Sequence, residues 1–146
     1  MEERMLFKNA TIIDGTGNDP WEKAELFVEG DKISAVGNPG SISPEGDYKI
    51  VDLMGKYIVP GIINCHTHIT YNYGTDREKL GFENISNSMA TVNGIESLKQ
   101  LLSVGVTFVR DLGAPRHVDL ELKKIRNANI IDGAELIAAG QAMCIT

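Results

Sequence analysis

The spacing of apolar positions changes character at Pro60. Before it, short β-rich runs are separated by turn-forming residues. Residues 5–13 carry Leu6, Ile12 and Ile13 in a broken alternation, and Asp14-Gly15-Thr16-Gly17-Asn18-Asp19-Pro20 stops the run. Residues 24–29 and 32–36 flank Gly30-Asp31, and two β-rich runs around so tight a glycine turn predict a hairpin. A loop rich in Pro, Gly and Ser, 38–47, precedes two more short runs, 48–53 and 57–59. The expectation for 1–59 is a β-rich subdomain forming part of a small β-sandwich.

From Pro60 onward, strand-like runs alternate with helical stretches of the length that right-handed βαβ crossovers need. Residues 61–66 form the nearly continuous apolar run expected of a parallel strand covered on both faces. A polar, irregular stretch follows, 67–84. Ile85, Met89, Val92, Ile95, Leu98, Leu101 and Leu102 then recur at intervals of three and four. They predict a helix whose apolar stripe packs on the strands, with Gly105 placed as the glycine that ends it. Residues 106–109 read as a second buried strand and 111–116 as a loop. Val118, Leu122 and Ile125, opposite Glu121, Lys123 and Lys124, predict a second amphipathic helix, and Gly133 introduces a third strand at 136–139. The order for 60–146 is therefore β-α-β-α-β, and the fold class is α/β. There is no internal repeat.

Composition removes several classes of function. With 146 residues, 42% of them hydrophobic, the chain can bury a genuine core. Its 14 Lys+Arg against 20 Asp+Glu give a net charge of −6 and no basic cluster beyond Lys123, Lys124 and Arg126, so nucleic acid is not an expected partner. No apolar run approaches the ~20 residues of a membrane helix, and the acidic start lacks the pattern of a secretory signal, so the expected location is cytoplasmic. Cys65 and Cys144 are far apart and are expected to be buried thiols.

The chemistry concentrates in Pro60-Gly61-Ile62-Ile63-Asn64-Cys65-His66-Thr67-His68. On an extended chain, residues two apart share a face, so His66 and His68 turn both imidazoles to one side while Cys65 and Thr67 turn to the other. Two imidazoles so placed can share one metal ion. Arg110 and Asp111 end the second strand at the same rim, where they could support a metal's ligands or lie near a substrate; a structural charged pair is the competing reading. His117 reads as a surface histidine. Gly15 and Gly17 read as a plain turn, since no helix opens after them.

These segments resemble the amidohydrolase superfamily of metal-dependent hydrolases, whose signature runs Pro-Gly-apolar-apolar-Asp-x-His-x-His on the first barrel strand. Residues 9–17 (NATIIDGTG), 26–37 (LFVEGDKISAVG), 51–68, 105–113 (GVTFVRDLG) and 133–146 all look like that family. The DGTG turn and the VRDLG strand end look most like its imidazolonepropionase-related and Xaa-Pro dipeptidase branch. One position departs: Asn64 stands where the family usually has Asp, which loses a charge but keeps hydrogen-bonding capacity.

The resemblance implies a β-sandwich beside a TIM (β/α)8-type barrel, of which this chain would hold the first three strands. It implies His66 and His68 as metal ligands. The further ligands, a carboxylated lysine or glutamate and two more histidines, and a catalytic aspartate are expected on later strands. The cofactor would be one or two divalent ions, Zn first, with Fe or Mn as alternatives. A metal-activated water would attack the C–N bond of a small-molecule amide, cyclic amide or dipeptide. A complete barrel takes ~250 residues, so the chain is expected to be an N-terminal portion, without turnover of its own and with an exposed apolar sheet edge that favours association; a homo-oligomer is left open. The competing reading is an inactive fragment or pseudo-enzyme with a structural or assembly role. A barrel with lyase-type chemistry is the third.

Overall fold

The strands expected before Pro60 come together, in a computed structural model that describes residues 3–71 and 85–141, as one mixed sheet. Backbone contacts divide the chain into two units, Met1–Pro60 and Gly61–Thr146.

The first unit holds β1 (Arg4–Ile12), β2 (Trp21–Glu29), β3 (Lys32–Gly37), β4 (Lys49–Asp52) and β5 (Tyr57–Ile58). The sheet runs β3-β2-β1-β4, with β5 also paired to β1. The hairpin forms as expected: β2 and β3 are antiparallel, with Glu29 opposite Lys32 across Gly30-Asp31. β2 starts at Trp21 rather than 24, because Trp21 pairs with Ile12 across β1. The broken alternation of β1 has a cause. Its register slips between Phe7 and Ala10, where Asn9 takes φ 57°. On one side of that bulge β1 pairs in parallel with β4, and on the other with β5. Asn9 Nδ2 donates to Asp52 Oδ1 at 2.9 Å and Gly55 N to Asn9 O at 2.8 Å, which stitches the β4–β5 turn to the bulge.

One face of this sheet buries Ala10, Ile12, Ala24 and Leu26, with Phe7, Val28, Leu53 and Ile58 around them. Phe27 is covered by the edge of the Tyr48 ring, 5.9 Å between centroids, and by the Arg4 guanidinium at 5.2 Å. The described residues of this unit form a single sheet; the facing sheet of the expected sandwich is not among them.

The second unit realises the expected β-α-β-α-β order. It comprises β6 (Ile62–Thr67), α1 (Asn87–Ser103), β7 (Val106–Asp111), a short 3-10 turn (Pro115–His117), α2 (Val118–Asn127) and β8 (Glu135–Ala138). The three strands are parallel in the order β6-β7-β8. Ile69, Leu98, Val109, Val118, Leu122, Ala134 and Leu136 form the core between sheet and helices. Ser86 caps α1, its hydroxyl accepting from Met89 N at 3.2 Å. Gly105, at φ +86°, follows the C-terminal end as expected. Arg116 hydrogen-bonds Asn87 Oδ1 and Ile85 O, joining the turn after β7 to the start of α1.

Two expectations are corrected. The buried face of α1 is Ala90, Gly94 and Leu98, whereas Met89 and Val92 are more than half exposed and Leu102 is also exposed. A Cβ at residue 94 would overlap Leu122 Cδ1, so close approach to α2 decides which face docks. Secondly, β6 is not covered on both faces: Ile62 and Ile63 are exposed, and so is Cys65, expected to be a buried thiol. β6 is an edge strand that pairs only with β7 among the described residues, and α1 packs on β7 and α2. Cys144 and the 72–84 part of the polar stretch lie outside the described residues. Among the described residues, no helix is long and apolar enough to cross a membrane.

Candidate active site

β6 enters the second unit through Gly61, where a Cβ would overlap the Thr107 side chain, so only glycine lets β6 and β7 approach this closely. Six residues later the strand reaches its C-terminal end. There the His66 and His68 rings lie 5.6 Å apart between centroids, with planes at 74°. The Tyr71 ring sits 5.9 Å beyond His68. Asn64, His66, His68 and Tyr71 line an open cleft of about 760 Å³, whose far wall is α1, including Glu96 and Gln100.

Each imidazole is held differently. His68 Nδ1 lies 3.0 Å from Gly113 O. A carbonyl oxygen only accepts, so that nitrogen carries a proton, and in the neutral ring Nε2 then keeps its lone pair. His66 is fixed through its backbone, its N–H donating to Asn64 Oδ1 at 3.1 Å. The amide of Asn64 thus supplies the acceptor that an aspartate would supply, without the charge.

Asp111 ends β7 fully buried. Its Oδ2 accepts from Ile69 N at 2.6 Å and its Oδ1 from Gly113 N at 2.8 Å. Burial pushes its pKa above the ordinary 3.8; the two backbone N–H groups oppose that, neighbouring Asp119 adds to it, and His68 offsets part. Asp119, in the first turn of α2, is equally buried. Its Oδ2 accepts from Gly140 N at 2.7 Å, and its Oδ1 has no hydrogen-bond partner among the described residues. Arg110 is exposed: its Nε donates to Cys65 O at 2.8 Å, and its own carbonyl accepts from Thr67 Oγ1 at 3.0 Å.

Of the five residues singled out in the sequence, Asn64, His66 and His68 meet at the cleft, whereas Arg110 and Asp111 do not line it. Arg110 braces the β6–β7 seam and Asp111 the loops beyond it. His117 is exposed, as expected, but takes the left-handed φ of 60° just before α2. Sequence reasoning missed Asp119 and Gly113. Asp119 reads as one more acidic residue in a helix's first turn, and Gly113 acts through a carbonyl that every residue has.

The ring pair fits a shared metal ion. Metal–nitrogen bonds of ~2.0–2.1 Å at a tetrahedral angle put two imidazole centroids roughly 5 Å apart, close to the 5.6 Å here. The described residues contain no cluster of three or more His, Cys, Asp and Glu able to hold an ion, so they supply two donors where a catalytic zinc usually takes three.

The pattern of the Amidohydrolase family matches residues 57–145. The chain belongs to this family. Among similar proteins is a dihydroorotase from Thermoanaerobacter sp. (strain X514), 26% identical over 94% of this chain and 37% of its own length. Another is a D-phenylhydantoinase from Escherichia coli, 34% identical over 51% of this chain and 15% of its own length. A solved Xaa-Pro dipeptidase with methionine bound in its active site superposes with a TM-score of 0.81 at 22% identity, covering 95% of this chain and 34% of that one. The chain therefore spans little more than a third of these family members at most. The superposition establishes a common mixed α/β fold.

Proposed function

We propose that the protein is, as a complete amidohydrolase, a metal-dependent hydrolase of C–N bonds in a small-molecule amide, cyclic amide or dipeptide. In this reading β6, β7 and β8 are the first three strands of a (β/α)8 barrel, and the sheet of the first unit belongs to a β-sandwich. His66 and His68 are two of the metal's ligands, and Asn64, Arg110 and Asp111 support them. The observation that carries the proposal is the pair of imidazoles at one strand end, lining one cleft, with Nδ1 of His68 occupied by a carbonyl and Nε2 left with a lone pair. One or two divalent ions, Zn or alternatively Fe or Mn, would supply Lewis acidity, polarising the substrate carbonyl and lowering the pKa of water toward neutrality. The chain's own residues orient those ligands: Gly113 O holds the His68 ring, and Asn64 holds the His66 backbone.

The relatives support both substrate classes. A dihydroorotase and a D-phenylhydantoinase are among the curated relatives, and a Xaa-Pro dipeptidase is a structural neighbour. The acidic composition fits a cytoplasmic enzyme without a nucleic-acid partner, alone or as a homo-oligomer. The second reading, an inert relative with a structural role, is favoured by Asn64 in place of the family's usual Asp. Metal analysis of the purified complete gene product, with turnover of cyclic amides and Xaa-Pro dipeptides, separates them. The expected result is a stoichiometric divalent ion and hydrolysis of one class, with both lost in His66→Ala/His68→Ala. A folded, metal-free protein inert toward both would establish the second reading.

A further inference from the structure

Asp111 and His68 do not touch, yet a closed ring of contacts joins them. His68 is followed in the chain by Ile69, whose N–H donates to Asp111 Oδ2 at 2.6 Å. The other carboxylate oxygen, Oδ1, accepts from Gly113 N at 2.8 Å. Gly113 returns to the imidazole through its carbonyl oxygen, 3.0 Å from His68 Nδ1. One buried carboxylate thus fixes the residue after His68 and the residue that receives the His68 proton. Gly113 takes φ 136°, a conformation side-chain-bearing residues rarely adopt, so its carbonyl is aimed by a backbone that needs an external hold.

Among the described residues, His66 has no comparable arrangement. Its recorded polar tie is its own N–H to Asn64, which leaves ring rotation unconstrained by that bond. Among the described residues the two imidazoles are therefore held unequally, His68 through a buried carboxylate and His66 through its backbone.

We infer that Asp111 is the positioning residue for His68: by clamping the Ile69 and Gly113 amides it aims Gly113 O at the ring, holding His68 as the Nδ1–H tautomer with Nε2 bare. Asp111 itself stays away from substrate and ion. The inference rests on the reading of His68 as a metal ligand only for its consequence, since the tautomer is a property of the metal-free protein. A histidine whose second nitrogen loses its acceptor typically gives ~10–100-fold weaker metal binding.

The test is nitrogen-15 NMR of the His68 ring in the metal-free complete protein at a pH where the imidazole is neutral. Wild type is expected to show the Nδ1–H tautomer, with slow exchange at the Ile69 and Gly113 amides. In Asp111→Asn, one oxygen of the carboxylate becomes an NH2 that cannot accept from a backbone N–H. The ring is expected to become a tautomer mixture, with zinc binding weaker by about 10–100-fold. Asp119→Asn is the control, because it removes a buried charge that holds Gly140 rather than Gly113; it should leave the His68 tautomer unchanged. A wild-type ring with its proton on Nε2 overturns the inference even if the Asp111 variant does not fold, as does a folded Asp111→Asn whose His68 stays wholly Nδ1–H. If the tautomer shifts but wild type binds no zinc, the inference stands and the hydrolase reading fails.

Discussion

Glu25 and Asp111 are both buried carboxylates in sheets, and the two units of the chain hold them by different means. Glu25 in β2 is 3% exposed and lies 3.3 Å from the Lys8 ammonium. Burial pushes its pKa up, but a backbone hydrogen bond at Gly40, the Lys8 bond and charge, and Ile42 N together outweigh it, leaving the pKa below the ordinary 4.5. Asp111 is fully buried, with two backbone N–H groups as its hydrogen-bond donors and a second acid, Asp119, nearby; its pKa ends above the ordinary value. A carboxylate with a cation beside it stabilises the fold that buries it. One caged by backbone amides is kept at an electrostatic cost, and what it secures is the geometry of the loops it bonds.

The contrast breaks most visibly on substitution by leucine. In Asp111→Leu, the Ile69 and Gly113 amides lose their acceptor inside the core, and each orphaned donor costs about 1–3 kcal/mol. Relief of the repulsion from Asp119 returns part of this, so the expected loss is about 3 kcal/mol, read as a lower midpoint in denaturant. Glu25→Leu is expected to cost less, about 1–2 kcal/mol, because the Lys8 ammonium and the Ile42 N–H it leaves behind are only part-buried and can turn to water. Equal losses for the two would dissolve the distinction.

A purely steric change sharpens the comparison. Gly94→Val puts a branched side chain where a Cβ already overlaps Leu122, and overpacking of this kind costs about 1–3 kcal/mol. Because Leu122 and Leu98 belong to the core of the second unit, hydrogen exchange should accelerate in α1, α2 and β7. It should stay unchanged in β1–β3. Uniform acceleration would mean that the two units share one cooperative transition.

Gly94 also marks where sequence reading ran out. The order of strands and helices, the hairpin at Gly30-Asp31 and the helix end at Gly105 were legible, since each depends on local periodicity or on the backbone freedom of one residue. The face of α1 was legible only in part: Ile85, Ile95, Leu98 and Leu101 of the expected stripe do pack on the core. Counting bulky apolar residues also selects Met89, Val92 and Leu102, which are exposed, whereas the buried face adds Ala90 and Gly94 to Leu98, and such a count barely registers those two. Cys65 was misplaced for a related reason: an apolar run says that a strand can be covered, not that a neighbour covers it. At the site, the His66–His68 spacing was legible because a strand repeats every two residues. The ring of contacts through Gly113 was invisible, because it is built from backbone amides and a carbonyl brought together by the ends of two different strands.

The smallest expected effect is the dependence on pH, and its direction separates the two carboxylates. The pKa of Glu25 is lower in the folded chain than in the unfolded one, so its contribution is present above the unfolded value near 4.5 and is lost as pH falls through the folded one. For Asp111 the folded pKa is raised, so the native state holds the extra proton and stability falls as pH rises from 3.8 through the raised value. Around the ordinary carboxylate range the two run in opposite directions, which keeps the net change small in the wild type. Removing one exposes the other. In Glu25→Gln, protection of the β1 and β2 amides should lose part of its decline on acidification, whereas amides in β6 and β7 should respond to pH as they do in the wild type. A β1–β2 acid response equal to that of the wild type would show that the Lys8–Glu25 pair contributes nothing to the first sheet, and that the two buried acids differ in surroundings without differing in role.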